Sequence, residues 1–81
     1  MDTPPDHQRE LDARGLRCPE PVMMRHAMIR RMAPGEVVRM LADDPASARD
    51  VPKFCEHLQH PLLATREADG VLTFWVRKRP A

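Results

Sequence analysis

The chain has 81 residues, enough for one small domain with a single modest core. Its 13 Lys and Arg residues nearly balance 12 Asp and Glu residues, so the net charge of +1 predicts no overall attraction to nucleic acid or to an anionic membrane. Aromatic residues make up only 4%, with no Tyr, which disfavours a base-stacking surface.

The first part of the chain predicts a tail followed by a strand. Residues 1–7 are rich in proline and charge and are expected to be a flexible tail, with a single domain over residues 8–81. Gln8–Ala13 is a weak strand candidate with Leu11 and Ala13 on one side. A turn follows, in which Gly15 is expected to supply a backbone conformation that a Cβ would disfavour.

The first helix is predicted over Pro19–Met32, because proline suits the first helical position. Ala33–Gly35, with its proline and glycine, ends it. A strand over Glu36–Ala42 has the near-continuous apolar character of an interior strand. The apolar stripe of the helix comprises Val22, Met24, Met28, Ile29 and Met32.

The second helix is predicted over Ala46–Gln59, and Pro52 is expected to kink it or to separate residues 46–51 as a short turn. The strands Leu62–Ala68 and Val71–Arg77 flank Asp69-Gly70, a strong hairpin signal. The predicted fold is therefore an α/β (α+β) two-layer sandwich in the order β-α-β-α-β-β, with a mixed four-stranded sheet and two helices on one face. The core stripe of the second helix comprises Val51, Phe54, Cys55 and Leu58.

Cys18 is the most informative residue, because it lies within Gly15–Pro21 (GLRCPEP), immediately before the first predicted helix. If Pro19 begins that helix, Cys18 is its N-cap, where the helix dipole favours a thiolate or persulfide anion. Arg14 and Arg17 add positive charge, whereas Glu20 adds negative charge and the prolines offer no N–H groups. A moderately activated, outward-held thiol is expected; the alternative is an incidental small apolar residue.

The other polar residues carry weaker signals. Cys55 is expected to be a packed core thiol, with a resolving-cysteine role as the alternative. His57 and His60 are expected to be solvated; a zinc site would need about four ligands, so no metal is expected. The chain shows neither a Ser-His-Asp order nor a glycine-rich phosphate loop, and it is not expected to be a self-contained enzyme.

A partner could dock beside Cys18. A basic strip on the first helix is either a solvated face or a docking surface for an acidic partner; it comprises Arg25, His26, Arg30 and Arg31. Met23 points away from the apolar stripe and suits an adaptable contact surface. Asp43 and Asp44 either form a turn and cap or reach a partner from the same edge of the sheet.

From about residue 10 to residue 79 the chain resembles the TusA family of sulfur carriers, also called SirA-like. The most specific part is the Cys-Pro-x-Pro motif of Cys18, Pro19 and Pro21, with Gly15, Arg17 and Glu20 as its support. The matching stretches are Leu11–Met24, Pro34–Glu36, Ala42–Ala46 and Arg49–Pro52, with Phe54 and Cys55.

The resemblance implies a fold like the C-terminal domain of translation initiation factor three, with a second helix that starts near Pro52. It also implies that Cys18 accepts sulfane sulfur as a persulfide from a cysteine desulfurase and relays it through a TusBCD-type complex. The outlet is 2-thiolation of the wobble uridine in certain tRNAs or, alternatively, molybdenum-cofactor synthesis. Pyridoxal phosphate belongs to the desulfurase, so no cofactor is expected here.

Two other classes of function remain open from the residues alone. A small thiol redox module would need Cys55 as its resolving cysteine. A regulatory interaction domain would need no thiol chemistry. The two cysteines without CxxC spacing, and an N-terminus unlike a secretory signal or transit peptide, favour free thiols and a cytoplasmic location. Neither direct nucleic-acid binding nor membrane association is expected.

Overall fold

The structure is a computed structural model, and it describes residues 3–17 and 20–80. Two helices pack on a four-stranded sheet, which confirms the predicted fold class and element order. Among the described residues no helix is both long enough and apolar enough to cross a membrane. The elements are β1 (Arg9–Asp12), α1 (Glu20–Arg31), β2 (Val37–Ala42), α2 (Ser47–Leu58), β3 (Leu62–Ala68) and β4 (Val71–Arg77).

The sheet is mixed, with strands in the order β1-β2-β4-β3. β1 runs parallel to β2, as a β-α-β crossover requires, and β4 runs antiparallel to both β2 and β3. The apolar strand β2 therefore lies inside the sheet, as its composition predicts. Val38 and Met40 on its helix-facing side are 0% and 3% exposed.

The core lies between the helices and one face of the sheet. It contains the predicted stripe of α2, with Leu58 packed at its margin. In α1 the predicted stripe is only partly right, because Met24 and Met28 are half-buried while Ile29 and Met32 are fully buried. The buried core side chains are Leu11, Ile29, Met32, Val38, Met40, Val51, Phe54, Cys55, Phe74 and Val76.

The β3-β4 hairpin forms as predicted. Asp69 and Gly70 have φ angles of 53° and 78°, so both turn residues are left-handed. This is the backbone that a two-residue type I′ turn requires, and it matches the twist of the flanking strands. Aspartate tolerates this region better than most residues, and glycine adopts it freely.

The structure corrects two expectations about Pro52, that it separates a short turn from the helix and that the helix starts near it. α2 runs without interruption through this residue, so residues 46–51 are not a separate turn and the helix does not begin near Pro52. Proline removes one backbone hydrogen bond, to the carbonyl of Ala48, and this residue is exposed, so water can satisfy the carbonyl. Val51 and Phe54 anchor α2 in the core on both sides of the proline.

The described part of the N-terminal tail, residues 3–7, contains neither helix nor strand. Its path nevertheless follows the sheet: Pro4 and Pro5 line cavities together with Trp75 of β4, and Pro5 is half-buried. Gln8 then joins the sheet edge, since its N–H donates to the carbonyl of Val37 at 2.9 Å.

Candidate functional site

Cys18 and Pro19 lie outside the described residues, so the candidate site is defined by the chain on either side of them. The N–H of Glu20, the first residue of α1, donates to the carbonyl of Arg17 at 2.9 Å. The two described ends are therefore joined directly. The N-cap position inferred for Cys18 stays a prediction.

The loop that leads to the motif is tied to the sheet. The N–H of Ala13 donates to the carbonyl of Leu41 at 2.8 Å, which extends the β1-β2 pairing by one residue. The N–H of Leu16 then donates to the carbonyl of Ala13 at 3.3 Å and closes a turn. Gly15 in this turn has a φ angle of 80°, the left-handed backbone expected for it.

Asp43 holds the tip of this turn. Its carboxylate oxygens Oδ1 and Oδ2 accept the N–H of Gly15 at 3.0 and 3.1 Å. Asp43 directly follows β2, and the carboxyl ends of the parallel strands β1 and β2 meet at this edge of the sheet. The structure thus brings Gly15 and Asp43 together. The sequence predicts only that Asp43 lies at this edge of the sheet and does not identify Gly15 as its partner.

Asp44 has a different role from its neighbour. It is half-buried, and its Oδ1 accepts the N–H of Ala46 at 3.1 Å. Its carbonyl also accepts the N–H of Ser47 at 2.9 Å, at the first residue of α2. These bonds support the turn interpretation of Asp44, but not the cap, because the N-cap of α2 is Ala46 and it has no side-chain cap hydrogen bond.

The positive charge of Arg14, expected to lie near Cys18, is paired with Asp12. Its guanidinium donates to both carboxylate oxygens of Asp12, at 2.9 and 2.7 Å. These bonds lower the pKa of Asp12 to about 2 and raise the pKa of Arg14. Arg17 and Glu20, the described residues on either side of Cys18 and Pro19, are both exposed and contribute one cation and one carboxylate.

The candidate partner residues of α1 divide between two faces. Met23 is 64% exposed and is an exposed large apolar side chain, and Arg30, seven residues later, lies exposed on the same face of the helix. His26 is half-buried, with its ring edge-on to Phe54 at 5.0 Å between centroids. Pro21 of the motif is buried at the start of the helix.

Arg25 corrects the predicted basic strip. It is only 5% exposed, and its guanidinium carbon lies 5.4 Å from the centroid of the Phe54 ring. The charge therefore packs over an aromatic face between the helices, where cation–π attraction and the apolar stem stabilise it. Arg25 lies four residues after Pro21 and four before Ile29, both buried, so helical periodicity places it on the buried face of α1. Its charge makes a hydropathy-based prediction assign it to the surface instead.

Cys55 lies in the core, as predicted, as a free thiol that is 3% exposed. Burial raises its pKa to about 11, although the charge of Arg25 acts in the opposite direction. A thiol with this pKa is a weak nucleophile near neutral pH.

His60 is buried, contrary to the expectation of a solvated ring, while His57 is exposed. The Nδ1 atom of His60 accepts the backbone N–H of Arg79 at 3.1 Å. Burial, and then the nearby charges of Arg79 and Lys78, lower its pKa. Within residues 3–17 and 20–80 no three His, Cys, Asp or Glu side chains gather as a metal site would require.

Residues 9–78 match the protein family described as sulfurtransferase TusA. The chain belongs to the TusA family. It is 49% identical over 73 residues to the sulfur carrier protein TusA of Pseudomonas entomophila strain L48, covering 90% of this chain and 91% of that protein. The sulfur carrier protein TusA of Pseudomonas aeruginosa strain UCBPP-PA14 is 49% identical over 69 residues, covering 85% of this chain and 87% of the relative.

A solved structure extends the TusA likeness to the fold. The crystal structure of a SirA-like protein from Desulfitobacterium hafniense superposes with a TM-score of 0.73 and 26% sequence identity, over 89% of this chain and 99% of that one. The resemblance inferred from the motif is thus confirmed at the level of family and fold.

Proposed function

We propose that this TusA-family protein is a sulfur carrier in which Cys18 takes up sulfane sulfur as a persulfide from a cysteine desulfurase. The observation that carries the proposal is the frame around the motif in a family whose members are named sulfur carriers. Asp43 holds Gly15 before the cysteine, and Arg17 is hydrogen-bonded to Glu20 after it. Such a frame supports a thiol presented to partners in a constant position.

The transfer needs no external oxidant. The Cys18 thiolate attacks the outer sulfur of the donor persulfide, the donor S–S bond breaks, and the donor cysteine leaves as a thiolate. A new S–S bond on Cys18 holds the sulfur. Release to an acceptor thiolate repeats the same exchange, so the sulfur keeps its oxidation state at each step.

Moderate activation of the thiol suits a carrier. Arg17 is the exposed cation next to the motif, Glu20 opposes it, and Arg14 is held by Asp12. A strongly stabilised thiolate would attack poorly, because nucleophilicity falls with pKa. A balance between positive and negative charge beside the thiol therefore favours both acceptance and release of the sulfur.

The buried Cys55 favours the carrier over a thiol redox module. A resolving cysteine must reach the attacking sulfur and must ionise. Cys55 is packed between the helices and the sheet, and burial raises its pKa to about 11. Both properties oppose a resolving role.

The partner surface proposed for the desulfurase and for a TusBCD-type acceptor complex is the exposed face of α1. Met23 supplies an adaptable apolar contact and Arg30 supplies a positive charge for an acidic partner. His26 lies at the margin of this face, and Asp43 acts mainly through Gly15.

The outlet that we propose is 2-thiolation of the wobble uridine in tRNA, in the cytoplasm. The net charge of +1 supports delivery through protein partners, without direct tRNA contact by this chain. In cells that lack the protein, 2-thiouridine in hydrolysed tRNA should fall. The wild-type chain and Cys55→Ser should restore it, whereas Cys18→Ser should not. An unchanged level of 2-thiouridine in those cells would contradict the proposed tRNA outlet and indicate another sulfur acceptor.

The carrier step is tested by incubating the protein with a cysteine desulfurase and L-cysteine and measuring intact mass without reductant. The wild type and Cys55→Ser should each gain one sulfur atom, and Cys18→Ser should gain none. A mass gain that depends on Cys55, or no gain on any form with an active desulfurase, would contradict the proposal.

A further inference from the structure

Trp75 is buried on the side of the sheet where no helix of the described chain packs. Its neighbours in β4, Phe74 and Val76, belong to the core, so Trp75 points to the opposite face. We call this the outer face; it carries Trp75 with Arg39 and Ala64 directly opposite on the adjacent strands. Despite that position, Trp75 is only 4% exposed.

Residues 3–7, here called the strap, lie over this tryptophan. Two cavities border the strap, and both are lined by Pro4, Pro5, Arg66 and Trp75. The prolines therefore run across the indole between two open spaces. The strap covers the face without filling it.

The strap is anchored at its C-terminal end. Gln8 exchanges two hydrogen bonds with Val37: its N–H donates to the carbonyl at 2.9 Å, and its Oε1 accepts the N–H at 2.8 Å. Upstream of this clamp, the described cover over Trp75 comes from Pro4 and Pro5. A segment tied at one end can lift without breaking the sheet.

The chemistry of the outer face fits an extended acidic segment that contains proline. Proline-rich segments dock on aromatic grooves because their extended conformation is already formed. Arg39 and Arg66 flank the indole, and Asp6 of the strap lines the same cavity as both. Glu10 pairs with Arg39 and offsets part of its charge, which leaves Arg66 as the stronger attraction for a carboxylate.

The strap leaves two buried donors of the groove without an acceptor among the described residues, the Nε–H of Arg39 and the Nε1–H of Trp75. An unpaired buried donor lowers stability, so a segment that brings a carbonyl or carboxylate to either atom gains a bond that the strap does not make. That difference would let a segment from another molecule displace the strap.

We propose that the outer face is a docking groove for an extended, acidic, proline-containing segment of a partner protein, and that residues 3–6 (Thr-Pro-Pro-Asp) occupy it in cis. This inference is independent of the sulfur-carrier proposal. It concerns the sheet face opposite the helices and uses neither cysteine. A tethered occupant acts at about millimolar effective concentration, so a modest affinity suffices to keep the groove covered.

The test uses the single tryptophan of the full-length chain as the reporter. In the double variant Pro4→Ala/Pro5→Ala, the fluorescence of Trp75 should shift to longer wavelength, and acrylamide quenching should rise about twofold as the strap lifts. Pro34→Ala, at an exposed proline in the loop after α1, is the matched control and should change neither signal. Thermal unfolding of each variant shows whether the domain is folded.

A synthetic peptide with the sequence of residues 2–8 is then titrated into both forms. It should bind the double variant at least about tenfold more tightly than the wild type and reverse the fluorescence shift. A peptide with both prolines replaced by alanine should not do so, and an Asp6→Asn peptide should bind more weakly. If acrylamide quenches Trp75 in the double variant no more than in the wild type, the proposed contact between the strap and the groove is wrong. A shift that the proline peptide does not reverse would overturn the groove.

Discussion

The N–H of Gly15 donates to both carboxylate oxygens of Asp43, at 3.0 and 3.1 Å, and so joins the loop before Cys18 to the end of β2. The two residues are 28 positions apart in the chain. The bond restrains a loop whose glycine already has the left-handed backbone, with a φ angle of 80°. Asp43 is therefore expected to be a positioning residue for Cys18, the proposed carrier cysteine.

Replacing Asp43 tests that role. Asp43→Ala removes the acceptor and should lower the rate of sulfur transfer to Cys18 about tenfold, because loss of positioning weakens a reaction between two proteins. The unfolding free energy should fall by about 1 kcal/mol, the contribution of one hydrogen bond. Asp43→Asn keeps an acceptor oxygen and should recover most of the rate. Transfer by Asp43→Ala at the wild-type rate would contradict the positioning role.

The prolines of the motif are expected to serve transfer more than stability. Pro21→Ala in the first turn of α1 should cost about 1 kcal/mol of unfolding free energy, mainly through added freedom of the unfolded chain. Relay efficiency should fall by more than this loss of stability can explain. The same is expected for Pro19→Ala. Denaturant unfolding and transfer rates are measured on the same samples. Equal losses in both would refute this division of roles.

Cys55 should be almost inert toward alkylation in the folded protein. With a pKa of about 11, roughly one thiol in ten thousand is ionised near neutral pH, and burial blocks access as well. Iodoacetamide should label the native chain at Cys18 and reach Cys55 only after unfolding. Peptide mass spectrometry with and without denaturant gives the result, and rapid native labelling of Cys55 would reopen the redox interpretation.

His60 should make stability depend on pH. Its pKa is lower in the folded chain than the usual 6.5, so the unfolded chain binds the extra proton more readily. The contribution is complete above the unfolded pKa and is lost as pH falls through the folded one, so stability should rise with pH over the range just below 6.5. The variant His60→Asn has no titrating group at this position but keeps an acceptor for the N–H of Arg79, and it should show a flatter profile.

The comparison for His60 is the difference between two unfolding curves measured across that pH range. Subtracting the variant from the wild type removes the titration of the other histidines, which both chains share. An unchanged pH slope in His60→Asn would show that this histidine does not govern the effect. The matched variant His57→Asn, at an exposed position, controls for the loss of a histidine side chain.

Local signals predicted much of the fold. Asp69-Gly70 predicted the hairpin because its two left-handed residues suit one turn type. The stripe of α2 predicted its buried face because Val51, Phe54 and Cys55 recur at helical spacing. In these cases the determining interaction lies within one element or between neighbours in the chain.

What the sequence did not reveal depends on contacts between distant segments. The burial of Arg25 depends on Phe54 from the other helix, and the carboxylate of Asp43 finds Gly15 only after β1 and β2 pair. Trp75 is covered by Pro5, 70 positions earlier, and no periodicity within β4 encodes that cover. Such contacts follow from the assembled fold.

The measurement that tests the central claim most directly follows a labelled sulfur atom through one cycle. The chain is charged by a desulfurase with sulfur-labelled L-cysteine, separated from the donor, and mixed with an acceptor thiol. We predict that the label first appears on the peptide that contains Cys18 and then leaves it for the acceptor, in the wild type and in Cys55→Ser alike. Label on Cys55, or label that stays on Cys18 in the presence of acceptor, would contradict the carrier role.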